Sequence, residues 1–319
     1  MTKIAVLSGI HEKLPLAELK SVLEADSNAY ELIENFGTAV KFSSDTKEFC
    51  RLAYTKEVSE VLKTFSKIED LDTGDISFEG SFAVRTSSAI DDIKNKEKIE
   101  SDVGKELGRK GNEVDLSEPD NIFRVFKNGE ELILSKKIFD NDGGSFENRR
   151  SHLRPFSSPV SLHPKLARCL VNLSEATKGG RILDPFCGTG GILLEAGLAG
   201  FKPVGIDKDP KMIEGAIENL EHYGVDSYKF FEGDASEKIL EIGKVDSIVT
   251  DLPYGRASKK DFESDKIVEK LINEGKKVCE GKIVFMTNQN RICGFKPDFE
   301  YYVHGSLTRY IYVLNPQNL

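Results

Sequence analysis

The residues with the most chemical promise are Asp251, Leu252, Pro253 and Tyr254, followed by Gly255 and preceded by the apolar run Val245 to Thr250. A carboxylate and an aromatic ring beside a rigid proline can hold a flat heterocyclic base and draw a proton from its exocyclic amine. Such an amine is a poor nucleophile because its lone pair is delocalised into the ring. A carboxylate and a backbone carbonyl accepting its two N–H bonds would favour pyramidalisation, aim the lone pair at an electrophile and take up the proton afterwards. Asp251 is the candidate carboxylate, Leu252 supplies the carbonyl, Pro253 braces the turn and Tyr254 would stack on the base. Four residues are also compatible with a plain strand-ending turn, so the weight rests on what surrounds them.

A second constellation stands upstream. Asp184-Pro185-Phe186-Cys187-Gly188-Thr189-Gly190-Gly191 follows a short apolar run and opens a periodic one. Glycines there let the backbone turn sharply and approach a ligand closely, as a nucleoside-binding loop requires. The spacing is neither GxGxxG nor a Walker A loop, which makes phosphate cradling the weaker reading. Asp207, with Lys208 beside it, ends the next strand about 20 residues on, where a carboxylate can accept from ribose hydroxyls. Asp207 to Pro210 is also a good helix entry, so capping is the alternative. Asp234-Ala235 follows the third strand; Asp234 could accept from an adenine amine or be an ordinary turn aspartate. The cofactor-binding candidates are therefore Asp184, Phe186, Gly188, Gly190, Asp207, Lys208, Asp234 and Ala235.

These groups need elements to carry them. From Gly180 the pattern repeats strand, turn, helix: strands at Arg181 to Pro185, Pro203 to Asp207, Tyr228 to Glu232, Val245 to Thr250 and Lys282 to Met286, with helices at Gly190 to Ala199 and Pro210 to Tyr223. That is the signature of a doubly wound, mostly parallel sheet, in which the strands ending at Leu183 and Thr250 lie side by side at the switch point. Phe299 to His304 and Thr308 to Leu314 read as a closing antiparallel hairpin. A loop is expected over Ala257 to Asp265. The first 143 residues read differently: a strand at Lys3 to Leu7, a helix at Pro15 to Leu23, a strand at Ala39 to Phe42, a helix from Thr46 and a strand over Asp75 to Thr86. An amphipathic helix at Ile99 to Gly108 follows, then a hairpin around Asn128-Gly129.

Composition sets limits. The 319 residues allow two domains. No apolar run approaches the roughly 20 residues that cross a bilayer, and the short apolar start reads as a strand and not a signal peptide, which points to the cytoplasm. Five scattered cysteines without CxxC spacing argue against both a disulfide framework and an intrinsic zinc site. The net charge of −9 weighs against a nucleic-acid binder without excluding one, because basic faces can be local. Candidate phosphate contacts are Arg85, Lys105, Arg109, Arg149, Arg150, Arg154 and Lys259; those of the 145–155 segment fit a solvated linker equally well. His163, beside Pro164, reads as a helix-entry residue and not a base.

Taken together, DPFCGTGG, GID, EGDA and DLPYG, in that order over residues 155 to 315, resemble a class I S-adenosylmethionine-dependent methyltransferase of the amino-methylating kind. Its [DN]PPY motif is matched here except at Leu252. FAVR, the helix near Ile99 and VDLSEPDNIFRVF resemble a THUMP domain, a module associated with tRNA. RPFSSP, HPKLA and the terminal VHGSLTR are similar to THUMP-bearing tRNA guanine-N2 methyltransferases, the archaeal type acting on guanosine 10 being nearest. The resemblance implies an α/β fold: a Rossmann-like class I methyltransferase sheet with a C-terminal antiparallel hairpin, plus an N-terminal α+β ferredoxin-like/THUMP region. The implied division is 1–70 ferredoxin-like, 71–143 THUMP, 144–160 linker and 161–319 methyltransferase. S-adenosyl-L-methionine is the implied cofactor and tRNA the implied partner. Related enzymes in some lineages also use a small zinc-binding activator protein. Mono- or dimethylation of N2 at guanosine 10 is the expected activity; another tRNA position, rRNA, or a non-catalytic RNA-binding protein are the alternatives.

Overall fold

The computed structural model describes residues 1–87, 95–141, 143–158, 161–253, 260–305 and 307–318. The chain divides into two compact units, Met1–Ile10, Ser27–Phe49 and Thr55–Asp142 in the first, and His11–Asp26, Cys50–Tyr54 and Gly143–Leu319 in the second.

The strands are β1 (Thr2–Leu7), β2 (Tyr30–Phe36), β3 (Ala39–Ser44), β4 (Thr55–Phe65), β5 (Phe82–Thr86), β6 (Asn121–Asn128) and β7 (Glu131–Asp140), then β8 (Arg181–Asp184), β9 (Lys202–Asp207), β10 (Lys229–Glu232), β11 (Ser247–Asp251), β12 (Ile283–Thr287), β13 (Phe299–His304) and β14 (Leu307–Leu314). The helices are α1 (Leu14–Asp26), α2 (Lys96–Gly108), α3 (Gly144–Glu147), α4 (Pro164–Leu173), α5 (Gly191–Leu198), α6 (Pro210–His222), α7 (Ala235–Lys238) and α8 (Lys260–Val278).

In the first unit one seven-stranded sheet runs β2-β3-β1-β4-β7-β6-β5. β1 is an inner strand and largely apolar, whereas β2 carries Glu31 and Glu34 on the edge, where charge discourages further pairing. β6 and β7 form the expected hairpin, with Asn128 still paired to Glu131. The two-residue loop is Gly129-Glu130, and Gly129 at φ 58° supplies the positive φ such a turn needs at its first central position. α2 sets Val103 and Leu107 against Phe82, Val84 and Phe123. Full burial of each such side chain is worth about 1.5–3 kcal/mol.

The second unit is built on a sheet of order β10-β9-β8-β11-β12-β14-β13. β10 to β12 pair in parallel, and β14 and β13 close the sheet antiparallel. Both faces are covered, and the alternation can be read residue by residue: Ile182, Val249, Val284, Met286 and Ile311 pack with α1, α4 and α5, while Leu183, Ile248, Ile283, Phe285 and Tyr312 pack with α8. Two-sided burial explains why these strands are continuous apolar runs.

α1 joins this unit through a polar device. Glu18 is fully buried and accepts bonds from the Ala53 and Tyr54 amides at 2.9 and 2.8 Å and from Asn172 Nδ2 at 2.7 Å, tying α1, the 50–54 segment and α4 together. Three local expectations fail. The helix expected from Thr46 is a single 3-10 turn, Glu48–Arg51. The strand expected over Asp75 to Thr86 is confined to β5. The chain expected to loop as far as Asp265 is already helical from Lys260. Among the described residues no helix is long and apolar enough to cross a membrane.

Candidate active site

The chain runs from β8 outward to β9 and β10 and later returns to β11 on the other side of β8, so the switch point lies between β8 and β11. Their carboxy ends are Asp184 and Asp251. The two strands lie side by side, as the sequence predicts, with Ser247 and Ile248 paired to Ile182 and Leu183.

The loop after β8 is shaped by its own amides and by Asp207. Cys187 N–H donates to the Ile206 carbonyl at 3.0 Å, and Gly188 N–H to Asp207 Oδ2 at 2.9 Å. Gly188 has φ 48°, with open space where a Cβ would be, so the backbone itself faces the crevice. Gly190 plays another part: its φ is 75° and a Cβ would stand 2.9 Å from the Ala216 Cβ, so glycine is needed there for α5 to pack on α6. It lines neither recess described below.

Two recesses flank this loop and share Phe186, Gly188, Asp251 and Pro253. The larger, about 600 Å³, is of ligand size. Asp207, Lys208, Asp234 and Ala235 border it, and Phe186, Ile239, Ile267 and Leu271 give it apolar walls. The smaller, about 340 Å³, lies over Asp184, Thr189, Leu252 and Ser161. Asp207 does not cap the next helix; Asp209 does, accepting from Lys211 N–H at 2.9 Å, and Asp207 Oδ1 accepts from Asp209 N–H. Asp234 does cap α7, through Ser236 N–H at 2.8 Å, and also pairs with Lys208 Nζ at 2.6 Å. The bonds from Lys208 and Ser236 hold its carboxyl well below the usual range. The rim thus carries one carboxylate at the end of β9, Asp207, and a second two residues past the end of β10, Asp234, with apolar walls between them.

Asp184 is buried beneath the smaller recess, accepting from Thr250 Oγ1 at 2.6 Å and Phe186 N–H at 3.1 Å. Burial pushes its pKa up to about 7, with Asp251 and Asp207 adding to the rise. Asp251 ends β11 with its side chain 19% exposed, and burial pushes it likewise to about 7, opposed by Arg309. Leu252 is buried in the core, and its N–H donates to the Met286 carbonyl at 3.0 Å, a bond proline could not make. The residue that departs from the resembled motif therefore anchors the turn to β12 in its own way. Pro253 is exposed at the mouth of both recesses. Tyr254 and Lys259 lie outside the described residues.

The basic candidates separate. Arg154 is buried, with Nε donating to the Arg149 carbonyl, and Arg149 pairs with the buried Glu195 at 2.8 Å; neither guanidinium is presented for phosphate contact, so both expectations are corrected. Gly191, whose Cβ would come within 3.0 Å of Arg154 Nη1, leaves room for this packing. Arg150 is half exposed and pairs with Glu147. Lys105 on α2 and Arg109 just past its end are 71% and 72% exposed and pair with Asp102 and Glu106 one turn away. Arg85 donates to the Leu116 carbonyl at 2.9 Å. His163 caps α4, as expected, accepting from Lys165 N–H.

Sequence reasoning missed the α8 wall, Ile267, Lys270, Leu271 and Glu274, because α8 begins inside the stretch read as a loop. It also missed Thr250 and Arg309, whose approach to the aspartates arises only when strands far apart in sequence pair.

The comparisons agree with this geometry. A family model described as UPF0020, RMKL-like, methyltransferase domain matches residues 151–294. Over 98% of this chain and 99% of its own length, a Methanothermobacter thermautotrophicus protein named tRNA (guanine(10)-N2)-dimethyltransferase is 36% identical. A Methanocaldococcus jannaschii protein of the same name is 32% identical over 97% of this chain and 98% of its own. Among solved structures, TrmN from Thermus thermophilus aligns with a TM-score of 0.52 at 21% identity, covering 99% of both chains, a likeness of fold.

Proposed function

The chain belongs to the tRNA (guanine(10)-N2)-dimethyltransferase family, and from that premise we propose that it transfers methyl groups from S-adenosylmethionine to the exocyclic N2 of guanosine 10 in tRNA, twice in succession. The observation that carries the reading is the placement of Asp251: a carboxylate of pKa about 7, between a recess fit for adenosine and a second recess beside it. When bound, the cofactor supplies an electrophilic sulfonium methyl. Asp207 and Asp234 would hold its ribose and adenine, and the Gly188 backbone would lie against it. In the first transfer Asp251 accepts from one N–H of the guanine amine and the Leu252 carbonyl from the other, and both hold the lone pair in line; in the second, Asp251 accepts from the one N–H that remains. With the methyl transferred, the sulfonium S–C bond would be broken and a neutral thioether would leave; the amine nitrogen is then cationic and its proton passes to Asp251. A carboxylate with a pKa near the working pH is suited to that transfer. Pro253 and Tyr254 are assigned to holding the base.

On the tRNA side, the reading gives the THUMP role to residues 71–143, with 1–70 as its ferredoxin-like companion, 144–160 as linker and 161–319 as the methyltransferase domain. Lys105, Arg109, Arg85, Arg150 and Lys259 are kept as phosphate contacts. A small zinc-binding activator belongs to the reading as a second partner. An added strand would pair at an edge of the sheet, β10 or β13, and co-purification tests this. The reading places the enzyme in the cytoplasm. The test is methyl transfer from labelled cofactor to a tRNA transcript carrying either guanosine or inosine at position 10. Inosine lacks the 2-amino group, so transfer should vanish with it; undiminished transfer would overturn the assignment.

A further inference from the structure

We propose that Arg309 is a positioning residue for the reaction: it acts by charge on the Asp251 carboxyl from across β12. The inference rests on the reading of Asp251 as proton acceptor and extends it to a residue of the terminal hairpin.

The topology brings the two together. β14 runs antiparallel to β12, so its first residues arrive at the carboxy ends of the parallel strands, where the crevice is. The last pair in that ladder is Thr287 with Tyr310, which leaves Arg309 just past the end of β12. Side chains alternate along a strand, so Arg309 shares a face with Ile311 and Asp251 shares a face with Val249. Ile311 and Val249 lie in the same core cluster, and both charged side chains therefore project to the same side of the sheet. Asp251 pairs with Met286, and Met286 with Ile311, so β11 and β14 stand two strand spacings apart, about 10 Å. Only a long side chain spans that gap. Arg309 does, bringing Nη1 to 3.9 Å from Asp251 Oδ1.

The pair is coupled by charge in poorly solvated surroundings: Arg309 is 8% exposed and the Asp251 side chain 19%. At this separation a cation inside a protein acts much more strongly than one in water. Arg309 opposes the rise that burial imposes on Asp251, and Asp251 in turn supports the protonated guanidinium. Among the described residues, the other charged groups bordering the recesses that Asp251 lines are Asp184 on β8, held by Thr250, Asp207 and Lys208 at the end of β9, Asp234 after β10, and Lys270 and Glu274 on α8. Arg309 is the charge that acts against the burial of Asp251, and it keeps that carboxyl able to receive a proton at neutral pH.

The test is single-turnover methyl transfer to tRNA as a function of pH for the full chain and its R309Q, R309M and R309K forms, with D251N alongside. Loss of the cation raises the Asp251 pKa, so the acidic limb of the profile should move up by about one pH unit in both R309Q and R309M. At pH 7 their rates should fall about fivefold and at pH 9 recover to within about twofold of the parent, with KM for tRNA and cofactor within about twofold. R309K should keep the parent's limb. A loss of equal factor at every pH, or a raised KM for tRNA with an unmoved limb, would overturn the proposal in favour of a structural or RNA-contacting arginine. Should either charge-removing form fail to fold, as judged by cofactor binding, the other decides. D251N separates the two readings: near-normal transfer by D251N would remove the premise, whereas an inactive D251N with an unshifted R309Q limb would remove only the Arg309 assignment.

Discussion

Replacing Asp251 by asparagine should make the protein more stable and nearly inactive, and the stabilisation should depend on pH. The Asp251 carboxyl moves from an ordinary 3.8 to about 7 in the fold. Between those values the folded protein holds a proton that the unfolded chain has lost, so the contribution of this group is full below pH 4 and disappears as pH rises through 7. At about 1.4 kcal/mol per unit, the shift corresponds to about 4 kcal/mol. The side chain keeps 19% exposure and Arg309 stands nearby, and the dielectric screening effective at such sites brings the expectation to about 2 kcal/mol. Asparagine is nearly isosteric and never charges. At pH 8.5 it should therefore raise the midpoint of thermal unfolding by roughly 4–8 °C, and at pH 4 by about nothing. Turnover should fall by about 10²–10⁴, the usual worth of a positioned base. Paired melts at pH 4 and 8.5, with single-turnover methyl transfer, check both halves. A stability difference that does not change with pH, or an asparagine variant that turns over normally, would refute the reasoning.

Other perturbations address the surroundings of the site. Leu252→Pro removes the N–H that donates to the Met286 carbonyl and shrinks a buried side chain, so denaturant unfolding should register a loss of about 2–4 kcal/mol although the resembled motif has proline at this position. Lys105→Ala with Arg109→Ala should weaken tRNA binding and lower the slope of log affinity against log salt by roughly 1–2, with cofactor affinity measured by calorimetry unchanged.

Much of the second unit was legible because its signals are local. Ile182-Leu183, Val249 with Ile248, and Val284 with Ile283 carry the alternation that buries a strand on both faces, and the DPFCGTGG loop and Asp207 sit at the offsets a doubly wound sheet imposes. The adjacency of Asp184 and Asp251 then follows from the switch-point rule. What could not be read depends on partners distant in sequence. Arg149 and Arg154 look like an exposed basic linker until Glu195, more than 40 residues later, is placed against Arg149. Glu18 looks like a helix-surface acid, yet it is buried because two amides of the 53–54 segment and Asn172 converge on it. The start of α8 was hidden because Lys259-Lys260-Asp261 has no apolar periodicity, and with it went the wall of the larger recess.

The most direct test of the central claim is mass analysis of nucleosides from unmodified tRNA treated with the purified protein and S-adenosylmethionine, followed by mapping of the modified fragment. The expected product is N2-methylguanosine converting to N2,N2-dimethylguanosine, confined to position 10. Methylation of an adenine, of a ring nitrogen or of a guanosine elsewhere in the tRNA would contradict it.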